Sequence, residues 1–216
     1  WSKLDPYAQN NQEILSEKED LLKKHNAKYV LLYAPTFSPS LTSSEVLEPE
    51  IEQLAQQGDY VINIKFHDLM ASKFIEAYKN LAATYDTVYF KEGRDIISQF
   101  LTADLLISDT SSVIYEFLLL NKPVITFGNI NEDIQWDNHT EKGELQKAVS
   151  ENLTTDPFAK KRAKVIAEYH PYTDGKSSER MVKTIEEYIE KYGVPKKRKL
   201  SLFRKYKINK IFDRKS

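Results

Sequence analysis

Short apolar runs alternate with amphipathic stretches along most of this chain, and that alternation restricts the fold more than any other feature. Five runs of four to six residues read as strands: Lys28–Tyr33, Tyr60–Lys65, Thr87–Phe90, Asp104–Ser108 and Pro123–Phe127. Several are near-continuous in Val, Ile and Leu, the composition of strands buried on both faces. Residues 9–25, 44–57, 70–84, 95–103 and 112–121 between them carry helical spacing. Ile14, Leu21 and Leu22 share a face of the first helix. Thr42-Ser43-Ser44 offers N-cap chemistry to the second, which stops at Gly58. Strand alternating with helix implies right-handed βαβ crossovers. The expected fold class is therefore α/β, a Rossmann-like open parallel sheet with helices on both faces. Beyond the fifth strand only helices are expected, at 141–151, 157–169 and 176–191. Two connections, Ala34–Leu41 and Gly128–Thr140, are long enough to carry function.

The length of 216 residues suits one large α/β domain, and 41% apolar residues can fill its core. No run of eighteen apolar residues occurs and no secretory signal opens the chain, so no membrane span is expected. The absence of cysteine excludes disulfides and thiolate metal sites, and fits a cytoplasmic setting. The chain begins Trp1-Ser2-Lys3-Leu4-Asp5-Pro6, without an initiator Met, and reads as a piece of a longer protein. A net charge of −1 conceals an asymmetry: residues 191–216 carry +10 and the rest −11. The expected division is a Rossmann-like domain over 1–190 and a basic amphipathic tail over 191–216.

Ligands of open parallel sheets bind beyond the carboxyl ends of the strands. There the sequence places Thr36, then Lys65-Phe66-His67-Asp68, then Lys91-Glu92-Gly93-Arg94, then Asp109-Thr110-Ser111-Ser112. The last turn is the sharpest signal. Its hydroxyls sit where a helix begins, and free N–H groups there favour an anion such as a phosphate. Thr110, Ser111 and Ser112 are the candidate ligands, with Glu116 one turn on and able to accept from a ribose diol. The competing reading is that Asp109 or Thr110 only caps the helix. His67 can donate to a phosphate or act as general acid or base, or it is a surface histidine beside Asp68. His139 and His170 are weaker candidates, and Ser177 or Ser178 is expected to cap the helix at 176–191. No GxGxxG, P-loop or GxSxG is present, and no acidic cluster has metal-ligand spacing, so neither cofactor nor metal is expected.

Asp104–Phe127 (DLLISDTSSVIYEFLLLNKPVITF) resembles the donor-site segment of the CDP-glycerol glycerophosphotransferases, the teichoic acid polymerase and primase family. Tyr33-Ala34-Pro35-Thr36 is similar to that family's "YAPT" loop and Lys65-Phe66-His67 to its basic-x-His signature. Trp1–Asp5 resembles its interdomain stretch, and Gly175–Arg180 its closing segment. The sequence departs from the family pattern at Phe37-Ser38-Pro39, Asp68 and Thr110. The resemblance implies the C-terminal, donor-binding half of a GT-B architecture. It places Thr36, His67, Ser111 and Ser112 on a pyrophosphate, Glu116 on ribose or glycerol, and His67 in catalysis. It further implies a CDP-glycerol donor, a lipid-linked acceptor and CMP release. The basic tail then suits an anionic membrane surface on the inner face of the cell membrane. Nucleic acid is not an expected partner, since the −11 body would repel it. Two alternatives stand: a sugar-nucleotide enzyme (a GT-B glycosyltransferase or 2-epimerase) and a non-catalytic membrane- or partner-binding module.

Overall fold

The structure, a computed structural model, describes residues 11–169, 171–172, 174–194 and 200–212. The Trp1–Asp5 stretch, His170 and the cations at 196–199 lie outside these residues.

All five apolar runs become strands: β1 (Tyr29–Tyr33), β2 (Tyr60–Ile64), β3 (Val88–Phe90), β4 (Leu105–Ser108) and β5 (Val124–Phe127). A sixth, β6 (Asp137–His139), joins them in one sheet of order β3-β2-β1-β4-β5-β6. Every pairing is parallel. The helices of this unit are α1 (Asn11–His25), α2 (Glu48–Gln57), α3 (Ser72–Thr84), α4 (Ile97–Thr102), α5 (Val113–Leu118), α6 (Leu145–Thr154) and α7 (Ala159–Tyr169).

Side chains alternate across a strand, so each strand feeds two cores. Leu31, Tyr33, Ile62, Ile64, Leu105 and Ile107 pack with Ile51 and Leu54 of α2, Tyr78 of α3 and Val149 of α6. Leu32, Leu106 and Val124 pack on the opposite face with Phe100 of α4, Phe117 of α5 and Val165 of α7. Each fully buried Leu or Ile contributes about 2 kcal/mol by leaving water. The expected doubly covered parallel sheet is the observed one.

Four local expectations are corrected. The connection Gly128–Thr140 contains β6, an edge strand whose Asp137-Asn138-His139 sequence has no apolar signal. Polar bonds hold it instead: Thr126 Oγ1 donates to Asn138 Oδ1 at 2.7 Å, and Asn152 Nδ2 to Asp137 Oδ2 at 2.6 Å. The helix expected from 44 begins at Glu48; its cap position is Leu47, whose apolar side chain can make no cap bond, while the Ser43 hydroxyl is engaged by Asp109. Its end at Gly58, with φ +75°, is as the sequence reads. The helix expected over 141–151 runs Leu145–Thr154, and the Leu145 N–H donates to buried Glu50 Oε2 at 3.0 Å. The helix expected over 112–121 shortens to Val113–Leu118, ahead of Asn121 at φ +55°.

The chain divides after Gly175 into two compact units. The second contains α8 (Ser177–Tyr192) and α9 (Leu202–Phe212). Lys176 holds the cap position of α8, and Ser177, an expected cap, instead accepts from Arg180 at 3.5 Å. Met181, Ile185, Tyr188 and Tyr192 form an exposed stripe at helical spacing. Around α9, exposed Leu202, Phe203 and Tyr206 interleave with Arg204, Lys205 and Lys207. Among the described residues, no helix is long and apolar enough to cross a membrane.

Candidate functional site

The strand order changes direction between β1 and β4. Chains leaving two such strands turn to opposite faces of the sheet, which opens a crevice at their carboxyl ends. Asp109 is the first residue past β4 and is fully buried. Its Oδ1 accepts the Thr36 N–H at 2.8 Å. Its Oδ2 accepts the Ser43 N–H at 2.8 Å and the Ser43 hydroxyl at 3.0 Å. The Asp109 carbonyl accepts from Asn129 Nδ2 at 2.8 Å. Burial pushes the carboxyl above its ordinary pKa, against the opposing pull of the Ser43 and Thr36 donors. Asp109 therefore ties the loop after β1 to the β4 end and does not cap α5. Ser43 in turn meets the Tyr33 hydroxyl at 2.9 Å, and burial raises the pKa of that phenol.

With Asp109 turned away, the start of α5 is open. Ser112, at its cap position, makes no side-chain cap bond. Ser111 Oγ meets the Val113 N–H only at 3.5 Å. These residues line a cleft of about 350 Å³ together with His67, Asp68, Lys65, Arg94 and Glu116. Four of the expected site residues thus converge: His67, Ser111, Ser112 and Glu116. Thr36 and Thr110 are not among the lining residues. The Thr36 N–H is bound to Asp109, and the Thr110 hydroxyl accepts from the Ile130 N–H at 3.4 Å.

His67 is exposed, and its ring lies 4.5 Å from that of Phe37 at an angle of 30°. Nδ1 accepts the Leu69 N–H at 3.1 Å. That bond leaves Nε2 to carry the proton of the neutral ring. Asp68 Oδ2 lies 3.3 Å from Arg94 Nε, so the acid beside His67 is turned to a cation rather than left bare toward an anion.

Sequence reading missed Asp109 as an organiser, together with Asn129; Lys65 stood there only as one of the cations at the strand ends. Asn129 stands in a connection whose length was its only signal. Among the described residues, no group of three or more His, Asp or Glu is placed to hold a metal ion.

Comparison with known proteins then decides the family. Residues 3–187 match the family described as CDP-Glycerol:Poly(glycerophosphate) glycerophosphotransferase. The chain belongs to this glycerophosphotransferase family. It is 27% identical over 201 residues to the teichoic acid glycerol-phosphate primase of Bacillus subtilis (strain 168), covering 86% of this chain and 49% of the primase. It is 30% identical over 190 residues to the teichoic acid ribitol-phosphate polymerase TarL of Staphylococcus aureus (strain NCTC 8325 / PS 47), covering 80% of this chain and 33% of TarL. Among solved structures, the wall teichoic acid polymerase TagF soaked with CDPG matches with a TM-score of 0.61 at 22% identity, over 88% of this chain and 49% of that one. That likeness concerns the fold. The chain therefore spans half or less of the length of these glycerophosphotransferase relatives.

Proposed function

We propose that this chain is the donor-binding half of a transferase that moves glycerol phosphate from CDP-glycerol to a hydroxyl of a lipid-linked or polymeric acceptor. The observation that carries this reading is the convergence of Ser111, Ser112 and His67 on one cleft at the sheet's switch point, in a chain of this family. The hydroxyls of Ser111 and Ser112, at a helix start whose dipole favours anions, receive the pyrophosphate. His67 donates from Nε2 to a phosphate oxygen, and Glu116 accepts from ribose or glycerol. Thr36 and Thr110, which do not line the cleft, tie its flanking loops through Asp109 and Ile130.

The acceptor oxygen attacks the glycerol-bearing phosphorus. The bond from that phosphorus to the CMP oxygen breaks, and CMP leaves with the bonding electrons. The acceptor's proton passes to a general base. Little covalent help is needed, since positioning and charge stabilisation supply most of the rate. His67 stabilises the charge that moves onto CMP, a role worth about 100- to 1,000-fold.

The same reading places the protein at the inner face of the cell membrane, held by the cations of residues 191–216. Each Lys or Arg near an anionic leaflet contributes about 1 kcal/mol. The interleaving around α9 makes charge, more than an apolar face, the support for this placement.

The test is nucleotide release by the longer protein that carries this chain. CMP from CDP-glycerol in the presence of acceptor is the expected product. UDP from UDP-sugars without CMP from CDP-glycerol would overturn the reading in favour of a sugar-nucleotide enzyme.

A further inference from the structure

Two lysines, buried Lys65 and half-buried Lys122, end up beside carbonyl groups, and they differ in one respect. Lys122 Nζ donates to Phe100 O at 3.0 Å, Leu101 O at 2.8 Å and Ala103 O at 2.6 Å. An ammonium has three donors, so Lys122 is complete, and it closes the end of α4. Lys65 is only 7% exposed and donates to Gly93 O at 2.6 Å and Phe66 O at 3.2 Å. Two donors are used and one remains. Both partners are neutral carbonyls, and the side chain lines the 350 Å³ cleft beside Ser111 and Ser112. The other cations near this edge are spent differently: Lys91 Nζ lies over the Tyr89 ring, 4.8 Å from its centroid. Arg94 pairs with Asp68 and is 92% exposed, and Lys79 pairs with Glu92 at 2.6 Å.

A desolvated cation without a counter-charge is costly unless an anion completes it. We propose that Lys65 is a phosphate-binding residue, whose third N–H and uncompensated charge are completed by a phosphate group of the ligand entering this cleft. Its bond to Gly93, which sits at φ +82°, also fixes the turn after β3 that carries Arg94. Lys65 thus supplies charge from the β2 side, opposite the hydroxyls from the β4 side. The identity of that phosphate as the donor's pyrophosphate rests on the function proposed above; the anion site itself does not.

The test is calorimetric titration of the full chain with inorganic pyrophosphate, CDP and UDP. Lys65→Met is expected to weaken pyrophosphate and CDP about 10- to 100-fold, the range for a hydrogen bond to a charged group. Lys65→Arg is expected to restore most of the loss. Lys79→Met, which removes the same charge outside the cleft, is expected to leave affinity unchanged. Thermal midpoints check folding. If Lys65→Met unfolds, the Lys65 Nζ resonance of the unaltered chain is followed by NMR, and it must shift on adding pyrophosphate. Undiminished pyrophosphate binding in Lys65→Met, an equal loss in Lys79→Met, or a stationary Nζ resonance overturns the proposal. Lys65-dependent pyrophosphate binding without preference for CDP over UDP would leave this inference standing and count against CDP-glycerol as donor.

Discussion

Asp109 holds Ser43 by both of its donors, the backbone N–H at 2.8 Å and the hydroxyl at 3.0 Å. A single carboxylate thereby fixes the loop that forms one wall of the cleft to the strand that forms the other. Asp109→Asn keeps the shape but turns an NH2 group toward donors. It is expected to cost about 2 kcal/mol in stability, the scale of an unpaired buried polar group. Urea denaturation reads the loss, and unchanged stability would mean that the loop is held by other contacts.

His67 is expected to matter for turnover more than for folding, since its ring is exposed. His67→Gln in the longer protein should lower CMP release by about 100-fold or more and leave the thermal midpoint within a degree or two. A mutant with full activity would reduce His67 to a surface residue packed on Phe37.

Much of this arrangement is legible in the sequence, for a physical reason. Strands buried on both faces must be apolar throughout, so β1, β2, β4 and β5 announce themselves, and Ser111 and Ser112 follow from where β4 stops. What is hidden depends on partners distant in sequence. Ser43 looks like a cap, but its hydroxyl is claimed by Asp109, 66 residues away. Asp109 looks like part of an anion site, but burial and three donors give it to the loop. β6 is stabilised by side-chain amides rather than by apolar burial, so no periodicity marks it. Lys65 is a strand-end cation until its two carbonyl partners show which donor is left.

A pH effect resides at His139, at the carboxyl end of β6. Asp137 Oδ1 and Glu144 Oε2 each lie 2.8 Å from its ring nitrogens. Burial pulls its pKa down, but Glu144 and Asp137 outweigh it and hold the value above that of an ordinary histidine. The folded state therefore binds the proton more tightly than the unfolded one. This stabilisation is complete below the ordinary histidine pKa and is lost as pH rises through the raised one. Urea midpoints across that window should fall more for the natural chain than for His139→Gln. Parallel curves would remove His139 from the pH dependence.

Arg162 of α7, 3% exposed, joins two turns that precede it, at Asn121 and at Asp156. It donates to both Asp156 oxygens, at 2.9 and 2.6 Å, and to Asn121 Oδ1 at 3.0 Å. Arg162→Ala strips these partners and is expected to cost about 3 kcal/mol. Arg162→Lys should recover only part, because an ammonium cannot make the bidentate pair. Equal stability of the Lys variant and the natural chain would deny the fork its role.

Residues 196–216 are expected to be required for binding to vesicles rich in anionic lipid, and their deletion should abolish sedimentation with such vesicles at physiological salt. Undiminished sedimentation would place any membrane contact elsewhere.

The central claim is that the cleft between the β1 and β4 ends receives the donor's pyrophosphate. A crystal structure of the chain soaked with CDP-glycerol tests it most directly. Both phosphates are expected within hydrogen-bonding distance of Ser111, Ser112 and His67, with Asp109 still bound to Ser43. Ligand density elsewhere, with those three side chains untouched, would contradict it.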